Sequence, residues 1–211
     1  FMSLMHCREL EVITEEDYEE ALEFLYRFYV CYKIIGGLES ANLVDSIARH
    51  SYFLETKGSK EALDEWKISF SEKLPSKASF ESSLSALGWS NRWDLYKDSK
   101  LKDRCHLVLA LLEQRVGKVD RVEDFTIEHA LPDSAAELNS MIGNLLPLEV
   151  HLNERCKDLP LKEKLPIYSE SRFATTRSFA NRYSKTEFRI QERSRQIACQ
   201  LYEETSVGKS K

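Results

Sequence analysis

The first 120 residues read as one helix after another, because apolar positions recur every three or four residues and each run is closed by a breaker. Leu22, Leu25, Phe28, Tyr29 and Tyr32 share one face of a segment that opens on Thr14, carries Glu15, Glu16 and Asp17 in its first turn, and stops at Gly36-Gly37. A hydroxyl at the N-cap accepts an orphan backbone N–H, and acids in the first turn oppose the partial positive charge there, so a long amphipathic helix is predicted. A second is predicted over 41–54, with Ser40 as cap and Leu43, Val44, Ile47 and Phe53 along one side. Shorter helices are predicted over 61–74 and over 77–87, where Gly88 ends the run. Another is predicted over 100–116, where Leu101, Leu107, Val108, Leu111 and Leu112 recur before Gly117.

The texture changes after the polar stretch 117–124, which is the expected joint between a helical connector or bundle, 1–120, and a second domain, 121–211. Residues 124–131 are β-prone and are broken by Pro132; 142–148 offer a second short strand, and 150–158 one or two helical turns. Strand, loop, strand, helix is the order of a ββα unit. Further helices are predicted over 161–180 and, from a Ser184-x-x-Glu187 capping box, over 185–204. The expected fold class is mainly α, a helical bundle followed by a small ββα module with C-terminal helices.

Composition narrows the picture. With 42% hydrophobic and 31% charged residues the chain is an ordinary globular sequence, and no apolar run approaches the roughly 18 residues that span a membrane. The start lacks the basic-then-apolar order of a secretion signal, and Phe1 before Met2 suggests a fragment of something longer. Five scattered cysteines without a C-x-x-C pair argue against a disulfide framework and a thiolate zinc site, and fit a reducing cytoplasm. The net charge of −5 hides an asymmetry: 17 basic against 27 acidic residues over 1–150, but 11 against 6 over 151–200. A local basic face suits a polyanion such as DNA, with Lys157, Lys162, Lys164, Arg172, Arg177, Arg189 and Arg193 as candidate phosphate contacts.

Cleaving a phosphodiester needs a base for water and a cation to neutralise charge developing on phosphate and leaving oxygen. A neutral imidazole can take up a proton near the working pH, which makes His129 the candidate base. A carboxylate and an amide oxygen, Glu128 and Asn153, suit a hard divalent cation, Mg²⁺ or Mn²⁺. Asn144 can pin a loop by bonding backbone groups, and His151 is a possible further metal ligand.

These residues also carry a resemblance. Thr126-Ile127-Glu128-His129-Ala130-Leu131-Pro132, Ile142-Gly143-Asn144-Leu145, Leu152-Asn153, Lys164-x-x-x-Tyr168-x-x-Ser171 and Ile190-x-x-Arg193 resemble, in order, the C-terminal nuclease domain of GmrSD-type restriction endonucleases. Phe24-Leu25-Tyr26-Arg27-Phe28 to Gly36, with 104–113, resembles the helical connector of that family. The resemblance implies an HNH-type (ββα-metal) nuclease module, an activity in bacterial defence against phage or modified DNA, and a ParB-like nucleotidase domain N-terminal to the connector, of which this chain shows no motif. It implies His129 as general base, Asn144 as loop-holding asparagine, and Asn153 and Glu128 as metal ligands. Only 14 residues separate His129 from Asn144, and the tryptophan often found in that loop is missing. A homo-oligomer is compatible with a double cut, since one ββα site cuts one strand. The alternative expectation is a catalytically inactive helical DNA-binding or regulatory module of a restriction system.

Overall fold

A computed structural model describes residues 1–205. Among these residues the chain divides into two compact units, Phe1–Phe80 together with the chain from Tyr202 on, and Glu81–Leu201.

In the first unit, helices α1 (Met2–Glu9), α2 (Glu15–Tyr29), α3 (Val44–Lys57) and α4 (Lys60–Ser71) enclose an aromatic core. Thr14 caps α2 as its position predicts: its hydroxyl accepts the Asp17 amide at 3.1 Å and the Asp17 carboxylate accepts the Thr14 amide at 3.3 Å. A π-helical turn, Val30–Ile35, prolongs α2 to the expected Gly36-Gly37 stop, where Gly37 takes a φ of 65°. The rings of Phe24 and Trp66 meet edge to face at 5.0 Å, and those of Phe28 and Phe70 at 4.9 Å. The start of α3 departs from expectation. Ser40 opens a 3-10 turn, Ser40–Leu43, without capping it through its side chain, and Val44 and Ile47 are exposed while Leu43 and Leu54 are buried.

The division between the units falls inside α5 (Lys77–Ser85). The second unit holds α6 (Ser99–Gly117), β1 (Thr126–His129), β2 (Leu145–Leu148), α7 (Val150–Cys156), α8 (Leu161–Ser169), α9 (Ala174–Tyr183) and nearly all of α10 (Ile190–Thr205). The expected joint at 117–124 therefore lies within this unit. Glu113 of α6 accounts for that: its buried carboxylate accepts the N-terminal amides of Ala174 and Thr175, at 2.7 and 2.8 Å, and so caps α9. The strands pair antiparallel, Thr126 opposite Leu148 and His129 opposite Leu145, and α7 follows directly, so strand, strand and helix come in the predicted order. Leu146, Leu148, Leu152, Tyr168 and Phe179 form the core around the hairpin.

Two helix expectations are corrected. The run 161–180 breaks at 170–173, where Glu149 draws the chain in by accepting the Ser171 hydroxyl at 2.8 Å and the Arg172 amide at 2.7 Å. No capping box forms at Ser184, because its hydroxyl donates to the Asn181 carbonyl at 2.9 Å and Glu187 pairs with Arg189; α10 opens only at Ile190.

Candidate active site

β1 ends in two side chains that the pleat sends to opposite faces. Glu128 is buried, and its Oε1 accepts both Lys164 Nζ, at 2.7 Å, and Tyr168 OH, at 2.8 Å. Lys164 Nζ also donates to the His129 carbonyl at 2.7 Å, so α8 grips the end of the strand through a lysine and a tyrosine one helical turn apart. Burial and the adjacent Glu128 charge push the Tyr168 phenol well above its ordinary range, which keeps it a donor at every working pH.

His129 is half-buried on the other side. Its Nε2 lies 2.9 Å from the Trp89 carbonyl oxygen, and its ring packs on the Trp89 indole with centroids 5.8 Å apart. A carbonyl can only accept, so this contact places a ring proton on Nε2; in the neutral ring the lone pair is then on Nδ1. Trp89 is itself fixed by the loop it supports. Its amide donates to the Ser140 carbonyl at 2.9 Å, Ile142 N–H donates to Leu87 O at 2.7 Å, and Gly88 bridges Met141. A Cβ at Gly88 would sit 2.4 Å from the Ser140 carbonyl oxygen, so only glycine permits this crossing. Asp133 adds to the seam, accepting the Ser90 hydroxyl at 2.7 Å while its carbonyl takes the Trp93 indole N–H at 2.8 Å.

Asn144 holds the loop between the strands. Its Oδ1 accepts the Leu131 amide at 2.8 Å, and its Nδ2 donates to the carbonyls of Leu131 and Asn139, both at 2.7 Å. Beside it α10 approaches so closely that a Cβ on Gly143 would lie 2.1 Å from the Ile190 carbonyl oxygen. On α7, Asn153 Nδ2 donates to Thr126 Oγ1 at 2.9 Å and more distantly to the Ile127 carbonyl, which leaves Oδ1 as its acceptor for another partner.

Residues 85–199 match the family model of the C-terminal domain of GmrSD restriction endonucleases. The chain belongs to that family. No curated protein and no solved structure matches it. The match begins close to the Trp89 segment, so the GmrSD C-terminal domain includes the carbonyl and indole that meet His129. Among the described residues no helix is long and apolar enough to cross a membrane.

The basic residues of this GmrSD domain sort differently from the expectation. Lys164, 1% exposed, is the partner of Glu128, and Arg193, 6% exposed, donates to the carbonyls of Gly143 and Leu145 at 2.7 and 2.9 Å. Both are removed from the phosphate-contact set, since desolvated cations bonded to protein oxygens do not face a solvent-borne backbone. Burial also lowers the Arg193 pKa to about 10. Arg172 is exposed but tied to Glu123 and to the Asp124 carbonyl, Arg177 donates to Ser171 O at 2.6 Å, and Arg189 pairs with Glu187. Lys157 and Lys162 are exposed. His151 is exposed on α7, two residues and so about 200° of helix from Asn153, and does not join it.

Among the described residues no group of three or more His, Cys, Asp and Glu is placed to hold a metal ion. The oxygens on offer are Asn153 Oδ1 and the second carboxylate oxygen of Glu128, whose Oε1 is committed to Lys164 and Tyr168. So sparse a protein donor set would leave most of a cation's coordination to water or other ligands. Sequence reasoning missed Trp89 and the Glu113 cap, whose contacts cross 40 and about 60 residues. The Lys164-x-x-x-Tyr168 spacing carried a signal of its own, since i and i+4 lie on one helix face.

Proposed function

We propose that the second unit, Glu81–Leu201, acts as an HNH-type, ββα-metal DNA endonuclease, working in defence against phage or modified DNA, with His129 as general base. The observation that carries this reading is the contact between His129 Nε2 and the Trp89 carbonyl, because it fixes the tautomer a base requires. His129 Nδ1 takes a proton from water, the water oxygen bonds the phosphorus, and the sugar oxygen leaves with a proton from solvent. Asn153 and Glu128 would hold Mg²⁺ or Mn²⁺, which supplies charge neutralisation at the phosphate and leaving oxygen. Asn144 is a positioning residue: its three backbone bonds keep the loop after β1 closed, and so hold the strand end that presents the base. Lys157 and Lys162, exposed on the same unit, contact DNA phosphates, which gives little sequence preference and a binding affinity that falls steeply with salt.

The helices before this unit, residues 1–80, serve in this reading as the connector to a ParB-like nucleotidase domain, and the protein works in the cytoplasm. The test is a supercoiled-plasmid assay with Mg²⁺ or Mn²⁺ against EDTA. Metal-dependent conversion to open-circle or linear DNA, reduced at least a hundredfold in Asn153→Ala, is expected for loss of a metal ligand. Conversion that persists in EDTA contradicts the metal-dependent mechanism.

A further inference from the structure

Several cations of the second unit are already paired. Arg92 faces Asp133, with Nε 3.5 Å from its carboxylate, Lys97 pairs with Asp94 at 3.0 Å, and Lys164 is buried on Glu128. Lys102, exposed in the first turns of α6, is different: among the described residues its ammonium makes no ion pair, and its Nζ stands 4.9 Å from the centroid of the Trp89 ring. That indole packs against His129 at 5.8 Å. Cation, indole and imidazole thus form a row that leads from α6 to the candidate base, all within the second compact unit.

We infer that Lys102 is a DNA-backbone contact of the His129 site, holding a phosphate next to the one that is cut. The inference rests on the nuclease reading for the identity of its polyanion. An exposed ammonium over an aromatic face is only weakly held, and lysine is a compact, strongly hydrated charge on a flexible stem, so Lys102 can exchange the indole for a phosphate oxygen. A phosphate oxygen is the stronger partner, because both members of that bond are charged. Trp89 contributes by covering one side of the imidazole and by keeping the ammonium beside the site while no DNA is bound. Of the late basic residues, Lys164 meets His129 at its backbone carbonyl, but it is buried and bonded to Glu128 and so offers no charge to DNA there; Lys102 sits in a helix whose sequence gave no sign of contacting DNA.

The test separates binding from cutting. Fluorescence anisotropy with a 20-base-pair duplex in EDTA is measured over a salt series for wild type, Lys102→Ala, Lys102→Arg and, as a control, Lys60→Ala in the first unit. Lys102→Ala is expected to bind about three- to tenfold more weakly at low salt, with the slope of log affinity against log salt shallower by about one; the arginine variant should keep the slope, and Lys60→Ala should match wild type. In the plasmid assay Lys102→Ala should raise KM for DNA with little change in kcat. An unchanged affinity and salt slope in Lys102→Ala overturns the inference, whether or not the wild type cuts. A wild type that binds DNA and never cuts, with Lys102→Ala still losing one unit of slope, supports Lys102 as a DNA contact and contradicts the nuclease reading instead.

Discussion

The two compact units are held by different means. In the first, the buried side chains are overwhelmingly apolar and aromatic, with Phe24, Phe28, Trp66 and Phe70 in mutual ring contact and, among the described residues, only Ser3, Asp17, Ser46 and His50 as buried polar residues. In the second, twelve buried residues are polar or charged, among them Glu113, Glu128, Asn144, Lys164 and Arg193, and each of these five bonds to a partner distant in sequence or to loop backbone. Apolar packing tolerates rearrangement as long as volume is kept. A buried polar network does not, since each donor or acceptor left alone costs the desolvation already spent. The second unit has given up that tolerance in return for a strand end, a loop and a helix fixed at defined positions, which is what a site for bond cleavage demands.

Substitutions that treat the two cores alike should break them differently. Lys164→Ala leaves the Glu128 carboxylate buried without its cation and is expected to cost about 3–5 kcal/mol, read in urea unfolding followed at the second unit. Replacing both partners, Glu128→Leu with Lys164→Met, should recover most of that loss, because two apolar groups of similar shape leave no charge stranded. Recovery of stability without recovery of cleavage would separate the structural duty of Glu128 from its duty toward the cation.

In the first unit, Trp66→Ala is expected to cost about 3–5 kcal/mol through the cavity it opens, whereas Trp66→Phe should keep most of the packing at under about 2 kcal/mol. A core that responds to Trp66→Phe as severely as to Trp66→Ala would show that shape matching matters there as much as bonding does in the second unit.

The smallest effect is expected at the cap of α2. The Lys60 ammonium, at 2.7 Å, and the Thr14 hydroxyl hold the Asp17 carboxyl down to about 2. A depressed carboxyl pKa means that the folded unit gains stability from Asp17 above the unfolded value, near 4, and loses it as pH falls from there through about 2. Acid unfolding of the first unit should therefore begin at higher pH in wild type than in Asp17→Asn, relative to their own stabilities at neutral pH. A parallel pH dependence for the two would remove Asp17 from the account. Thr14→Ala should cost about 1 kcal/mol by helix unfolding at neutral pH.

Much of this was legible in the sequence, where the physics is local. The Thr14 cap, the Gly36-Gly37 stop and the strand, strand, helix order after residue 124 all follow from spacing and breakers. The loop clamp at Asn144 was readable as a type of bond, although its three partners were not. What sequence does not show is which way a charge faces. Lys164 and Arg193 add to a basic count as much as Lys157 does, yet they point inward, toward Glu128 and toward the Gly143 carbonyl. The same holds for membership of a unit: α6 has the periodicity of any amphipathic helix, and the contacts that tie it to the later elements, among them Glu113 with α9 about 60 residues on and His106 stacked on Phe125, are long-range. Val44 and Ile47 failed in the opposite sense, apolar residues at helical spacing that face solvent.

The central claim is that His129 is the base of a cutting site. It is tested most directly by measuring plasmid cleavage and duplex affinity in parallel for wild type and His129→Ala, with Mg²⁺ present. The account expects cleavage to fall by a factor of about 10² or more while affinity stays within about twofold, since the imidazole acts on water and contributes little to holding the backbone. Cleavage undiminished in His129→Ala, or cleavage and affinity lost in proportion, would contradict it.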